Sequence, residues 1–242
     1  MLYLISMEIS KYYSPNHYNK LRSSKSITFI IIHYTGMQSE RESLKKLTNV
    51  KSKVSCHYLI NRKGKIFKMV KDRNIAWHAG KSKWKNYVNL NKNSIGIELV
   101  NKGHKFGYQS FTSKQIRSLV ILCKSLKKKH GIKDKFILGH SDIAPIRKID
   151  PGEKFPWEYL SLKGVGIYPK KKSIDLLSFK KPKKKKFFKN LYKVGYRYLH
   201  TGSESKIIKN FQRKYLQNNV TGQLDLETYK ISEFLAQKSN IS

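Results

Sequence analysis

The sequence has little acid, little cysteine and little proline. Aspartate and glutamate number 15 in 242 residues, against 51 lysines and arginines, for a formal charge of +36. That excess fits a solvated surface with a compositional bias, attraction to an anionic polymer or membrane surface, or nucleic-acid binding; charge alone does not choose among them. The two cysteines, Cys56 and Cys123, form no CxxC, which argues against a structural zinc knuckle. One disulfide is open to them, but Cys123 falls on the apolar face of a helical pattern, so two reduced, buried thiols are expected. No apolar run approaches the length of a membrane span. The apolar start, Met1 to Ser6, is short and lacks a basic leader and a small-residue cleavage site, so no signal peptide is expected and the cytoplasm is the first choice of compartment. HExxH, a Walker loop, a dinucleotide-binding glycine motif and a GxSxG elbow are all missing, which removes the commonest rival enzymes.

What is present concentrates between Gly139 and Trp157. Three of the six prolines, Pro145, Pro151 and Pro156, fall there and forbid a helix interior or a central strand. The apolar run Phe136-Ile137-Leu138 reads as a short buried strand ending at Gly139 and delivering His140. Asp142, Arg147, Lys148 and Asp150 follow in the loop. A second strand-like run, Ile27 to Ile32, ends in His33. If the two strands are neighbours, His33 and His140 emerge at one sheet edge. With Asp150 they make two imidazoles and a carboxylate, three ligands that leave a fourth zinc position open for water.

The rest of the chain reads as alternating strands and helices. Residues 8–26 are polar and irregular. Ser39 is an N-cap for a helix over 40–48, with Glu42 at the reciprocal position. Val54 to Ile60 is expected as a strand, turning at Lys63-Gly64 into a partner over Lys65–Val70. His57 in that strand reads either as a hydrogen-bonded sheet residue or as a group supporting the metal or contacting substrate. Trp77 and His78 lie on the following loop and suit a sugar or peptide groove or plain packing; Trp84 and Tyr87 are candidates for the same wall. Ser94 to Val100 is another strand, whose period of two sets Glu98 on the face opposite Ile95 and Ile97. Thr112 opens a helix with Gln115 at the capping-box position and Ile116, Leu119, Val120, Cys123 and Leu126 on its core face; Gly131 ends it, leaving His130 as a capping or solvated residue. Lys148 stands two residues before Asp150, which on an extended backbone aims both into one pocket.

In order along the chain, His33-Tyr34-Thr35, Ser55-Cys56-His57-Tyr58-Leu59-Ile60, Ala76-Trp77-His78-Ala79-Gly80, Ser94-Ile95-Gly96-Ile97-Glu98 and Gly139-His140-Ser141-Asp142 with Lys148-Ile149-Asp150-Pro151-Gly152 resemble the zinc-dependent N-acetylmuramoyl-L-alanine amidases of the type 2 amidase family. Peptidoglycan-recognition proteins share that fold. The resemblance spans roughly residues 8 to 169 and implies Zn2+ on His33, His140 and Asp150, Glu98 as general base, and Lys148 on the oxyanion of the tetrahedral intermediate. His57, Trp77 and His78 are then candidate substrate contacts. Some phage-type relatives carry a tyrosine immediately before the histidine matched by His57; Cys56 stands there in this chain, so no catalytic role is assigned to that position.

Beyond Pro169 the runs Lys170–Lys172 and Lys180–Lys186 read as a linker, with a nucleic-acid tract as the sharper alternative. Three helical patterns follow, and Ile208-Lys209-Asn210-Phe211-Gln212-Arg213 with Val220-Thr221-Gly222-Gln223-Leu224-Asp225 resembles a three-helix peptidoglycan-binding domain. The expectation is therefore an α/β chain with a mixed central β-sheet flanked by helices, followed by a small three-helix C-terminal domain. The boundaries are 1–169 for the zinc amidase domain, 170–186 for a basic linker and 187–242 for the peptidoglycan-binding-like domain. The expected reaction is hydrolysis of the amide between N-acetylmuramic acid, or its 1,6-anhydro form, and L-alanine, in peptidoglycan or in anhydro-muropeptides. The chain is expected as a monomer, with no specific nucleic acid and no membrane span; the wall-binding pattern keeps the periplasm open as the compartment. The rival is a non-catalytic peptidoglycan-recognition module, which needs the groove but not the metal.

Overall fold

Four consecutive apolar residues, Phe29-Ile30-Ile31-Ile32, belong to a strand that is buried on both faces, and the rest of the chain is arranged to cover it. The computed structural model describes residues 9–179, 181–199 and 202–239. The expected short apolar start, Met1 to Ser6, lies outside them, as does Lys180 of the second basic run. In chain order the strands are β1 (Ile9–Lys11), β2 (His17–Tyr18), β3 (Phe29–Tyr34), β4 (Tyr58–Ile60), β5 (Ile66–Lys68), β6 (Ile75–Ala76), β7 (Lys83–Trp84), β8 (Tyr87–Val88), β9 (Ser94–Leu99) and β10 (Ile137–Gly139). The α-helices are α1 (Glu40–Thr48), α2 (Ser113–His130), α3 (His140–Ile143), α4 (Trp157–Leu162), α5 (Lys171–Asp175), α6 (Lys184–Val194), α7 (Glu204–Tyr215) and α8 (Leu226–Lys238). The main sheet runs β1-β5-β4-β9-β3-β10, antiparallel only between β4 and β5. The fold is thus mixed α/β, with C-terminal helices.

Alternation sorts the side chains. Ile30, Ile32, Ile95, Ile97 and Leu99 point to the face covered by α2, where Leu119, Cys123 and Leu126 meet them. Phe29, Ile31 and Leu138 point the other way and share a buried cluster with Phe187, Leu191, Phe211 and Tyr229 of the C-terminal helices. On that same face, over β4 and β5, Leu59 and Phe67 pack with Leu47 of α1. Both cysteines are free and buried.

Several elements depart from the pattern read in the sequence, each for a local reason. Residues 8–26 are not wholly irregular: β1 extends the sheet edge beside β5, and β2 pairs with β6. The strand expected from Val54 is regular only over β4, although His57 N–H still donates to Gly96 O at 3.0 Å. Both helix caps hold, Ser39 accepting from Glu42 N–H and Thr112 from Gln115 N–H. Neither box closes reciprocally: Glu42 accepts from Gln38 N–H, and Gln115 donates to Ile60 O and Val100 O between two strands. His130 is not solvated; its ring is buried between Ser24 Oγ at 2.8 Å and Asp72 Oδ2 at 3.2 Å. Trp84 and Tyr87 form the β7–β8 ribbon, with Trp84 packed on Tyr196 and Tyr87 on Phe29, so they serve the core and not a groove wall. In α4, Trp157 and Leu160 are buried but Tyr159 is exposed. The basic stretch expected as linker contains α5, whose Ile174 is buried.

Candidate metal and catalytic site

Strand register brings the two histidines together. Gly139 of β10 lies opposite Ile32 of β3 in a parallel pair, so the next residue on each chain is a histidine. On the other side of β3, His33 is paired with Glu98 of β9, which places imidazole and carboxylate side by side on the face away from α2. The loop after α3 returns to put Asp150 beside them. His33 Nδ1 is 3.1 Å and His140 Nδ1 3.2 Å from Asp150 Oδ2, and the two nitrogens are 3.0 Å apart. Among the described residues this is the group of three donors that converge, all within 4.8 Å.

Hydrogen bonds around the rings fix which nitrogen is bare. Ser94 Oγ donates to Leu90 O at 2.6 Å, so it accepts from His78 Nε2–H at 3.1 Å. A neutral His78 then presents its Nδ1 lone pair to His33 Nε2–H, 3.0 Å away, and the lone pair of His33 is left on Nδ1. His140 is set the same way: Nε2–H donates to Ala79 O at 3.0 Å, freeing Nδ1. Partners of this kind orient metal-ligating histidines. His78 fits only because residue 96 is glycine; a Cβ there would sit 2.4 Å from the His78 ring.

Electrostatics agree with a ligand set. Burial, then the charge of His140, pushes the His33 pKa down to about 4 against the pull of Asp150, which keeps the ring neutral as a ligand must be. Burial opposes ionisation of Asp150, but His140 and His33 more than offset it, and its carboxyl is held well below the usual carboxylate range. Glu98 goes the other way. Burial, and then the charge of Asp150, raises it to about 8, with Lys148 opposing. Its Oε2 is buried with no hydrogen-bond partner. Two imidazoles and a carboxylate form the donor set of a hydrolytic zinc site with one open position. An orphaned carboxylate oxygen beside them is the acceptor that a water at that position requires. The residues present therefore fit the ion.

A cleft of about 370 Å³ opens over the group, lined by His33, Glu98, His140, Lys148 and Asp150 together with His104. Lys148 thus lines the same cleft as Asp150. Next to it a cavity of about 460 Å³ is walled by Tyr18, Trp77, Arg147 and Lys148, with the Trp77 ring edge-on to Tyr18 at 5.4 Å. His57 is not among the residues lining either space. It is fully buried behind His78, with Nδ1 accepting from Gly96 N–H at 3.0 Å and Nε2 within 3.0 Å of the Arg22 guanidinium. His78 touches both spaces with its edge, while its two nitrogens are engaged by His33 and Ser94. Sequence reading missed Ser94, Ala79 and Asn91. Asn91 Oδ1 accepts from the His78 and Ala79 N–H groups at 3.1 and 2.7 Å and so shapes the loop that carries both partners. Backbone carbonyls and small polar residues leave no signal of such roles in a lone sequence.

Residues 23–153 match the family model described as N-acetylmuramoyl-L-alanine amidase. The chain is 33% identical over 232 residues to the N-acetylmuramoyl-L-alanine amidase AmiD of Escherichia coli, covering 88% of this chain and 83% of that protein. It is 34% identical over 165 residues to the 1,6-anhydro-N-acetylmuramyl-L-alanine amidase AmpD of Haemophilus influenzae, covering 60% of this chain and 87% of that one. In three dimensions it is similar to E. coli AmiD in complex with the substrate anhydro-N-acetylmuramic acid-L-Ala-D-gamma-Glu-L-Lys, with a TM-score of 0.80, 32% identity and coverage of 88% and 90% of the two chains. It is similar also to AmpDh3 of Pseudomonas aeruginosa, with a TM-score of 0.81, 31% identity and coverage of 91% and 97%. With the family's motifs in order along the sequence and its fold around the His33, His140 and Asp150 cluster, the chain belongs to the N-acetylmuramoyl-L-alanine amidase family.

Proposed function

We propose that the chain is a zinc enzyme that cleaves the amide between the lactyl group of anhydro-N-acetylmuramic acid and L-alanine in soluble muropeptides. The observation that carries the zinc reading is the convergence of His33 Nδ1, His140 Nδ1 and Asp150 Oδ2 beside the unpartnered Oε2 of Glu98. Support for the substrate comes from AmiD and AmpDh3, whose structures hold an anhydromuramyl peptide. When bound, zinc polarises the scissile carbonyl and acidifies the attacking water. Glu98 takes the proton from that water and delivers it to the departing amine of L-alanine. Burial and the charge of Asp150 oppose ionisation of Glu98, and a dication close by would reverse that balance. Lys148, on the cleft wall, holds its ammonium where negative charge develops on the carbonyl oxygen. Trp77 and Tyr18 offer an aromatic wall for the sugar or stem peptide.

The chain divides by task at the boundaries read in the sequence. Residues 1–169 supply the reacting groups, 170–186 join, and 187–242 contact peptidoglycan. A site with all three ligands and both helper residues favours an enzyme over a recognition module, which needs only the groove. Among the described residues no helix is long and apolar enough to cross a membrane. A cytoplasmic place of work goes with soluble fragments as substrate, and cell fractionation tests it. Purified protein should hold about one zinc per chain and release free peptide from anhydro-muropeptides by mass spectrometry, with a chelator abolishing release. Activity indifferent to chelation, with no transition metal on elemental analysis, overturns the zinc reading.

A further inference from the structure

Helix α7 belongs by sequence to the C-terminal unit, yet its polar stripe packs against the loop that carries His140, Lys148 and Asp150. Asn210, Arg213 and Lys214 recur at the three- and four-residue spacing of one face of α7, and Gln217 follows just beyond its end. Asn210 is 2% exposed, and its Nδ2 donates to two carbonyls of the loop, Pro145 O at 2.6 Å and Lys148 O at 2.8 Å. Its Oδ1 accepts from Arg213 at 2.9 Å, and Arg213 reaches on to Glu153 at 3.3 Å. Lys214 is buried, lies over the Trp157 ring at 4.4 Å, and donates to Asp142 Oδ2 at 2.6 Å. That carboxylate also accepts from Gly139 N–H at 2.7 Å and from the Tyr196 hydroxyl at 2.6 Å. Gln217 donates to Phe155 O at 2.5 Å. From Gly139 to Phe155, then, the loop is held at five residues, Asp142, Pro145, Lys148, Glu153 and Phe155, by side chains that lie far along the chain.

We infer that α7 is a positioning element of the active site, with Asn210 and Lys214 as positioning residues that set the loop carrying His140, Lys148 and Asp150. Burying an amide and an ammonium costs free energy unless their partners are in place, so each fixes one arrangement of the loop and not a range of them. Lys148 shows the consequence. Its N–H is bonded to Ala144 O at 3.0 Å and its carbonyl to Asn210, so both peptide groups flanking its Cα are anchored and the ammonium starts from a fixed root. Asp142 does the same for His140, because its Oδ2 caps the one-turn helix whose first residue is that ligand and accepts from Lys214 of α7 at the same oxygen. The C-terminal unit therefore completes the catalytic loop as well as meeting the wall. The inference rests on the amidase reading for its kinetic arm only.

The test uses full-length Asn210→Ala, Asn210→Ser, Lys214→Met and Lys214→Arg, with Lys206→Ala, exposed on the same helix, as the control. For Asn210→Ala and Lys214→Met, kcat on an anhydro-muropeptide should fall about 10- to 100-fold, as misplacement of reacting groups does, with KM little changed. Lys214→Arg and Asn210→Ser, which keep a donor, should recover part of the loss. Hydrogen exchange of the metal-free proteins gives the second readout. Amides of residues 139–150 should exchange about tenfold faster in Asn210→Ala and Lys214→Met, while those of β3 and β9 stay as in the parent. Unchanged kcat and unchanged loop exchange in these two variants overturn the inference. So does a loss confined to KM, or one shared equally by Lys206→Ala. Should Asn210→Ala fail to fold, Asn210→Ser and Lys214→Met decide by the same two readouts. Should the parent enzyme prove inactive on muropeptides, the exchange arm still decides, so failure of the clamp and failure of the amidase reading are told apart.

Discussion

Asp150 and Glu98 are two buried carboxylates facing one cleft, and their surroundings drive them apart. Two imidazoles hold Asp150 ionised, while burial and the charge of Asp150 lift Glu98 to about 8. Such divergence fits the proposed division, in which one carboxylate would bind the metal and the other move a proton. Asp150→Ala should lose zinc and turnover together, since two histidines alone hold the ion poorly. Glu98→Gln should keep zinc and lose about 10²–10⁴-fold in kcat. Lys148→Ala should keep zinc and lower kcat more than it raises KM, because its ammonium acts on charge that develops in the transition state. Elemental analysis with steady-state kinetics separates these classes, and near-native kcat in Glu98→Gln would move the base elsewhere. The Ser94–His78–His33 relay makes a second demand. His78→Ala should weaken zinc binding by about 10–100-fold, the usual cost of removing a partner that orients a ligand. Competition with a chromophoric chelator measures it. A raised KM with zinc affinity intact would instead make His78 a substrate contact.

At the scale of elements, Asp72 ties the chain beyond the β4–β5 hairpin to the end of α2. It is 4% exposed, accepts from Tyr58 Oη at 2.6 Å, and faces Lys129 at 2.5 Å, His130 at 3.2 Å and Lys68 at 3.2 Å. Burial works against its charge, but Lys129, Tyr58, Lys68 and His130 together outweigh burial and hold the carboxyl well below its usual value of 3.8. The sign follows from proton linkage. A folded-state pKa below the unfolded one contributes stability above pH 3.8, and that contribution is lost as pH falls through the lower value. Asp72→Asn should therefore cost about 1.5–3 kcal/mol near neutrality, the range for hydrogen bonds to a charged group. Lys129 is exposed and screened, which favours the lower end. The gap in Tm between parent and variant should narrow as pH drops below 3.8. A gap that stays constant into acid would show that the carboxylate charge is not what holds these elements.

For the molecule as a whole, the cluster beneath the C-terminal helices decides how it unfolds. Phe29, Ile31 and Leu138 of the sheet and Phe187, Leu191 and Phe211 of α6 and α7 are buried against one another. Each large apolar side chain buried in this way stabilises by about 1.5–3 kcal/mol, and most of that is lost if one partner leaves. Lys214 and Tyr196, both bonded to Asp142, would be left with bare polar groups at the same moment. The full chain is thus expected to melt in a single cooperative transition, coincident by near- and far-ultraviolet circular dichroism. Two separated transitions would mean that the helices unfold independently of the sheet.

Periodicity and motif order carried much of this in the sequence. The continuous apolar run of β3 announced a strand, the spacing in α2 announced its core face, and two histidines at the ends of apolar runs would share a sheet edge if those strands were neighbours. The Ser39 and Thr112 caps were equally plain, because a cap is a contact between residues three apart. Long-range partners were not. Nothing near Asp142 says that Lys214 and Tyr196 neutralise it, and nothing near His33 says that Ser94 sets its tautomer through His78. Trp84 and Tyr87 on a loop look the same whether they line a groove or seal a core. His57 could be placed behind the site only when the register against Gly96 was known. Local physics, which acts between near neighbours in the chain, is written in residue order. Which buried charge meets which donor depends on packing between distant segments, and only the folded chain brings them within hydrogen-bond reach.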